Sequence, residues 1–512
     1  MSTPPPHGTQ AIQRAFALLR AVADSARPLP LAELSRRVGL RPPTAHRILG
    51  ALVAEGLLDR VERVERDGAG MGYCVGRRAR ALGALAPLAG QQKPPRTTPF
   101  FARELEHHAS FGWRDWSGVA GATSYEPTYH REYWAIRNAA AIIDVSPLFK
   151  YEIRGPQAEA LANRIFTRDF RKCRPGQVMY TCWLDDDGKL LQDGNVVRLA
   201  PDRFRATAAH PTLRWFQDCG HGIDAEVAEV TEDYAALSVQ GPRSRAVLVA
   251  AARDRAHAER LAALPYFRAA EADIAGCPVL VTRTGFTGDL GYEVWIAPAD
   301  AETVWDALFH HGEAHGAMPV GLVAMDQARV EAGLALIDID FVSAAHALLE
   351  GRKSAPHEMG LAWTVKPSPD RDFVGRAALE RAVAEGFRTR LVGIEVSWME
   401  LERVHAPYGL RPQNPHHPPS REPGALYAPY GAEDGRQVGQ VTSQAFSPLL
   451  KKQVGLASVD ARFAEPGTAL ELEMMVDYKR VRASARVAHL PFYDPPHKRD
   501  DVTIDEVQGA RA

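Results

Sequence analysis

Residues 22–58 read VADSARPLPLAELSRRVGLRPPTAHRILGALVAEGLL, and two short helices joined by a glycine turn can be read from this stretch alone. Pro30 precedes the first helix, whose inner positions are Leu31, Leu34 and Val38. Gly39 ends it and supplies the tight turn. Pro42 or Pro43 opens the second helix, because proline is tolerated in a first helical turn. Its inner stripe is Ala45, Ile48, Leu49 and Leu52; Thr44, Arg47 and Ala51 face outward, with His46 beside them. Working outward, residues 11–25 predict a preceding helix, with Ile12, Ala15, Phe16, Leu19, Val22 and Ala23 at helical spacing. On the other side, Leu58 to Arg66 alternates apolar and charged residues. Asp67-Gly68-Ala69-Gly70 turns and Met71 to Val75 returns, which predicts a β-hairpin wing.

This winged helix-turn-helix head carries its own charge. Residues 1–83 hold 13 Arg, no Lys and 7 acidic residues, a net of +6. The whole chain is at -2, so the remainder is near -8. A basic head suits a polyanion, and an acidic body does not. In such a module the second helix enters the major groove. Thr44, His46 and Arg47 would then reach bases and phosphates, with Arg41 placed for the backbone. Protein contact or dimerisation is the other use of the same module, and a homodimer through the head is compatible with it. The order of residues over about 9–80 resembles the N-terminal domain of IclR-type transcription regulators. The effector domain that follows in such regulators is not recognisable here.

A chain of 512 residues is too long for one core. At 46% hydrophobic and 24% charged it has globular composition. No apolar run reaches the roughly 18 to 20 residues needed to span a bilayer. Met1 to Gln10 lacks the regions of a signal peptide. The five cysteines, Cys74, Cys173, Cys182, Cys219 and Cys277, form no CxxC pair. That argues against a disulfide framework and against a cysteine-rich zinc site, and a cytoplasmic location is expected. His405, His416 and His417 lie in a Pro-rich stretch without a nearby Cys, so no metal is expected there. The expected domains are residues 1–83, a linker over 84–104, an α+β body over 105–385, a β-rich domain over 386–500 and a tail over 501–512. Residues 399–423 read as an inserted loop.

The body shows no Walker lysine, no dinucleotide fingerprint and none of HExxH, GxSxG or the kinase motifs. Without a dinucleotide fingerprint, a resident flavin has little support. What stands out is a set of polar residues expected in apolar strands: Tyr180, Asp193, Thr207, Glu293 and Arg329. A carboxylate such as Asp193 could hold a proton, but an Asp before Gly, taken alone, reads first as a turn residue. Trp113, Trp116 and Trp134 could stack on an aromatic donor or serve as core.

The order of segments adds to this. Ile143-Asp144-Val145-Ser146 is followed by Leu190-Leu191-Gln192-Asp193-Gly194-Asn195 and by Val239-Gln240-Gly241-Pro242. Arg283-Thr284-Gly285-Phe286-Thr287-Gly288-Asp289-Leu290-Gly291-Tyr292-Glu293 comes next. Arg329-Val330-Glu331-Ala332-Gly333-Leu334, Gly360-Leu361-Ala362-Trp363 and Val441-Thr442-Ser443 complete the series. Residues 120–495 thereby resemble the aminomethyltransferase (T-protein) family of the glycine cleavage system, which includes folate-dependent demethylases. The resemblance implies a three-domain cloverleaf with a C-terminal β-barrel-like domain, and tetrahydrofolate as acceptor of a methyl or one-carbon group from a small methylated donor. It assigns Asp193 as the catalytic aspartate near the folate nitrogen and Tyr180 as a pocket tyrosine that could assist the leaving group. Glu293 becomes the partner of the pterin ring, and Thr207 and Phe286 stand at pocket positions. The sequence departs from the family pattern at Gln192, Thr207, Phe286, Met325 and Pro147. Met325 and Pro147 replace an Arg and a His, which argues for a demethylase over a true glycine-cleavage aminomethyltransferase. A regulator whose body senses a folate or methylated ligand without turnover is the reading from another class.

Overall fold

The computed structural model describes residues 9–509 except 24, 26–27, 55–57, 66–67, 76–95, 366–370, 413–416 and 430–434. It divides into two units that meet between residues 94 and 95. In the first, α1 (Thr9–Ala23), α2 (Leu31–Val38) and α3 (Pro42–Ala54) precede a hairpin of β1 (Leu58–Glu65) and β2 (Gly68–Val75). Gly39 adopts φ 69° and its N–H donates to the Arg36 carbonyl, closing α2 with a left-handed cap that a side chain would strain. Leu34, Ala45 and Leu49 are fully buried, as the stripes predict. Leu18 is also fully buried, whereas the predicted Leu19 is only partly so. Adjacent leucines both fit the period, and the 15-18-22 row wins over its neighbour. The side chains of Ile12 and Phe16 lie outside the described residues. So does the centre of the wing, at residues 66–67. Strand β2 starts at Gly68 rather than Met71, since Gly68, Ala69 and Gly70 pair with Glu65, Val64 and Arg63.

The second unit opens with α4 (Phe101–His107), the hairpin β3 (Gly112–Trp116) and β4 (Val119–Ser124), and α5 (His130–Asn138). Then come β5 (Ala140–Asp144), β6 (Phe149–Arg154), α6 (Ala158–Ile165), β7 (Gln177–Leu184), β8 (Leu190–Ala200) and β9 (Arg203–Ala208). They are followed by α7 (Leu213–Cys219), β10 (Glu226–Glu229), β11 (Ala235–Gln240), α8 (Ser244–Ala251) and α9 (Arg255–Ala262). Next are β12 (Ala269–Ile274), β13 (Cys277–Thr282), β14 (Gly291–Ile296), α10 (Ala301–Gly312), β15 (Ala317–Pro319) and α11 (Leu322–Glu331). One sheet is antiparallel with order β10-β6-β9-β8-β7; the other has order β12-β13-β14-β11-β5-β15. Strands β5 and β11 are buried along their whole length. Both faces of that sheet are covered, so these strands are mostly apolar, and their polar residues Asp144, Ser238 and Gln240 are buried too.

After α12 (Arg376–Glu385), strand β16 (Thr389–Ser397), helix α13 (Trp398–His405) and strands β17 (Gly424–Tyr427), β18 (Gln437–Ser447), β19 (Lys452–Asp460), β20 (Ala469–Val476) and β21 (Lys479–Ala488) follow. The six strands close into a barrel. The fold is thus α+β with a terminal barrel, as the sequence resemblance implies. Among the described residues no helix is long and apolar enough to cross a membrane.

Three segments differ from the sequence reading. Residues 96–104, placed in the linker, belong to the body: Arg96 bridges Val119, and Phe100 is fully buried against Trp305. The insertion at 399–423 begins as helix α13, capped by Ser397 and burying Leu401, Val404 and His405. Its amphipathic spacing is short and is masked by the proline and histidine run that follows. The tail over 501–512 is docked as far as it is described. Ile504, at the start of α14 (Ile504–Gly509), joins the core of the six-stranded sheet. Arg283, 0% exposed, donates to the carbonyls of Leu264, Lys498 and Asp500, and Arg245 donates to that of Asp500.

Buried charge ties the body together. Glu331 accepts from Tyr133 Oη (2.7 Å), Arg137 Nη2 (2.7 Å) and Ser447 Oγ (2.7 Å), joining α11 to α5 and the barrel. Arg329 donates to Asp326, Asp340 and Ser443. The sequence reading expected Arg329 in a strand; it sits in helix α11 as part of this framework.

Candidate active site

The two sheets face each other across a narrow cleft. One sheet lines it with Val178, Asn195, Val197, Arg205 and Thr207, the other with Leu280, Thr282, Thr284, Glu293 and Trp295. The alternation of β8 explains the first set: Asp193, Asn195 and Val197 are two apart and share a face. Gly194 between them is required by close approach, since a Cβ there would lie 2.1 Å from the Thr207 carbonyl oxygen. Asp193 lies within β8 opposite Cys182, which rules out the turn reading. Its carboxylate accepts a hydrogen bond from Tyr180 Oη. The Tyr180 ring stacks on Trp363 at 5.8 Å, and the Arg168 guanidinium sits 5.5 Å from the Trp363 centroid.

Burial raises the Asp193 carboxyl to about 6, against the pull of the Tyr180 hydrogen bond. Burial, and then Asp193 itself, pushes the Tyr180 hydroxyl well above its ordinary value, so it stays a donor. Burial also raises Glu293, opposed by hydrogen bonds from Thr284 Oγ1 (2.9 Å) and Thr282 Oγ1 (3.4 Å). Both bonds fall on Oε2, and Oε1 receives none among the described residues. Asn195 Oδ1 and Arg205 Nη1 are buried without a hydrogen-bond partner. The other nitrogens of Arg205 are held by Glu152.

Of the residues singled out in the sequence, Glu293 and Thr207 line the cleft from opposite sheets. Asp193 lies two residues before Asn195 on the same face of β8, and Tyr180 lies opposite Asn195 on β7. Phe286 is elsewhere, half-buried in the loop between β13 and β14 and not among the lining residues. Asn195, Arg205, Thr282 and Thr284 were missed. Asn195 was within reach, because period-2 alternation carries it onto the face of Asp193. Trp113 stacks on His108 at 4.3 Å, Trp116 packs in the core and Trp134 meets Tyr133 edge-on, so each has its own partner. His405 is buried with Nδ1 on the Leu401 carbonyl, His417 is exposed, and His416 lies outside the described residues. Among the described residues, no three His, Cys, Asp or Glu side chains are placed to hold a metal. In the head, Arg41, His46 and Arg47 are exposed and Thr44 half-buried at the start of α3.

Residues 100–368 match the model of the GCVT N-terminal domain, and residues 408–494 that of the glycine cleavage T-protein C-terminal barrel domain. The chain belongs to the glycine cleavage T-protein family. Residues 11–62 match the IclR helix-turn-helix domain, so this T-protein family member carries a regulator-type head. It is 34% identical over 377 residues to a trimethylamine-oxide aldolase of Ruegeria pomeroyi, covering 72% of the chain and 43% of that relative. It is 30% identical to the gamma subunit of a heme-dependent oxidative N-demethylase of Ectopseudomonas mendocina, covering 77% of the chain and 96% of the subunit. A probable aminomethyltransferase of Haloarcula marismortui is 33% identical, over 76% of the chain and 97% of its own length. The structure of aminomethyltransferase T from Bartonella henselae matches with TM-score 0.64 at 22% identity, over 78% of this chain and 98% of that one, which shows the fold.

Proposed function

We propose that the T-protein-like body transfers a methyl or one-carbon group from a small methylated donor to tetrahydrofolate, and that the head binds DNA. The observation that carries the first part is the set of unpartnered polar groups around one cleft. Glu293 Oε1 and Asn195 Oδ1 are free acceptors, and Arg205 Nη1 is a free donor. A flat heterocycle with adjacent N–H donors and a carbonyl fits that arrangement, and its N–H groups would draw Glu293 back toward the carboxylate form. Tetrahydrofolate would supply the secondary amine nitrogen that accepts the carbon.

The residues of the chain would then do the following. Glu293 and Asn195 hold the ring, and the cleft walls exclude water. Holding donor and acceptor together contributes a proximity effect. Asp193 takes the proton released at the accepting nitrogen, as a general base. Tyr180 holds the Asp193 carboxylate in place and, as a hydroxyl that stays protonated, is the group available to a leaving atom.

The test is incubation of the full chain with tetrahydrofolate and a panel of donors: phenolic methyl ethers, dimethylglycine, betaines and sulfonium compounds. Mass detection of methylated folate reads the result. No product with any donor, together with folate and DNA binding, would replace the enzyme by a sensor. Where turnover is seen, its pH dependence follows from Asp193. A base is active when deprotonated, so kcat/KM should rise with pH and level off above about 6. Tyr180→Phe removes the bond that lowers the Asp193 value, so the break should move to higher pH. A break unmoved by that change would uncouple the pair.

The head gives a separate expectation. Arg41 is exposed just before α3. If it contacts a phosphate, Arg41→Ala weakens binding to mixed-sequence duplex DNA and reduces the slope of log K against log salt by about 1. An unchanged slope in a salt-titrated anisotropy assay removes Arg41 from the interface.

A further inference from the structure

Two guanidinium groups share one buried carboxylate in the body, and a third arginine is carried toward them by a hairpin. Asp326 of α11 uses Oδ1 for Arg329 Nε (2.8 Å) and Oδ2 for Arg421 Nε (2.8 Å). Arg329 is fully enclosed and is neutralised further by Asp340. Arg421, which precedes β17, spends only Nε there, and its two terminal amino groups make no hydrogen bond among the described residues. Arg114 of β3 makes no hydrogen bond or ion pair among the described residues, although it is not fully exposed.

The hairpin brings Arg114 to this place. Arg114 pairs with Gly121, and a Cβ on Gly121 would lie 3.1 Å from Leu322 Cδ1, so that face of the hairpin rests on α11. Leu322 and Asp326 are one helical turn apart on the same side of α11. Burial, and then Arg421, lowers the Arg114 guanidinium from its ordinary value, which Asp326 partly offsets. Two incompletely used guanidinium groups thus converge where the one carboxylate is already shared. Net positive charge in a half-buried place calls for an anion.

The cleft is close by. Trp116 and Met325 pack in the same apolar cluster as Leu280 and Trp295, which line it. At the hairpin's turn, Ser117 Oγ donates to the carbonyl of Ala209, two residues after Thr207. We propose that Arg114 and Arg421 form a carboxylate-binding site beside the cleft, which orients a carboxylate-bearing ligand of that cleft. This rests on the folate reading and extends it. The planar forks of two arginines suit a carboxylate better than they suit a neutral ether. The carboxylate belongs either to the glutamate tail of a folate or to a donor such as an N-methylated amino acid.

Titration calorimetry on the full chain with three probes separates the sources. Folinate carries pterin and glutamate, 6-methyltetrahydropterin carries the ring alone, and dimethylglycine is a carboxylate donor. Arg114→Gln loses no hydrogen bond among the described residues, so its fold should be intact; Arg421→Gln is the second variant. Both should weaken either folinate or dimethylglycine about tenfold or more, with the bare pterin unchanged. Arg114→Lys should recover part of the loss. A loss confined to folinate assigns the site to the folate tail, and one confined to dimethylglycine assigns it to the donor. Unchanged affinity for both carboxylates, or a wild-type chain that binds neither, overturns the inference. Wild-type binding of dimethylglycine through the arginines, with no binding of folinate or the pterin, sinks the folate reading and leaves this site standing.

Discussion

Asp193→Asn should abolish folate-dependent turnover while leaving the protein folded. Asparagine keeps the shape of the side chain and an oxygen that can accept from Tyr180 Oη, so the contact between β7 and β8 survives. What is lost is the basic carboxylate. General-base assistance contributes about 10²- to 10⁴-fold, and a loss of that order is the expected effect. Single-turnover measurement of methylated folate, with folinate binding as control, checks it. Binding should change little, because the groups that face the ring are Glu293, Asn195 and Arg205. Normal turnover in the variant would remove Asp193 from the mechanism, and loss of binding would recast it as a ligand contact.

The second large effect concerns stability. Glu331→Ala would leave Arg137, Tyr133, Ser447 and Gln327 without their shared acceptor inside the body. Arg137 is 5% exposed, and its remaining carboxylate contact, to Asp289, is 3.6 Å long. Breaking a buried ion pair by removing one partner costs about 3–5 kcal/mol, because the other charge stays buried. The urea midpoint of the body should fall accordingly, while that of the head should not, since the two are separate units. A loss below about 1 kcal/mol would mean that water or Asp289 takes over the role of Glu331.

Much of the architecture was legible because it depends on local chemistry. Gly39 and the stripe of Ala45, Leu49 and Leu52 define the head through a turn and a period, which need no distant partner. The T-protein fold of the body came instead through the family resemblance that the ordered series of segments carries. The cleft was half legible. Glu293 and Thr207 were found through resemblance, but Arg205 and Thr282 become cleft residues only when two sheets face each other. No spacing within one strand announces that. Arg114 and Arg421 lie 307 positions apart in the sequence and meet through Asp326, so neither stood out from the many arginines of the chain. Helix α13 and the docked segment near Ile504 were read as loop and tail for a related reason: their apolar positions are few, and each is buried by a surface built elsewhere.

The anchoring of Arg283 also bears on how the protein is made. Its guanidinium, at the end of β13, finds two of its carbonyl partners 215 and 217 residues further along the chain. A ribosome delivers residues in order, so Arg283 emerges long before Lys498 and Asp500 exist. During that interval Arg283 lacks its acceptors on Lys498 and Asp500, and the surface that Ile504 covers is open. A stop codon shortly before residue 498 should therefore do more harm to the six-stranded sheet than the loss of a dozen surface residues would suggest.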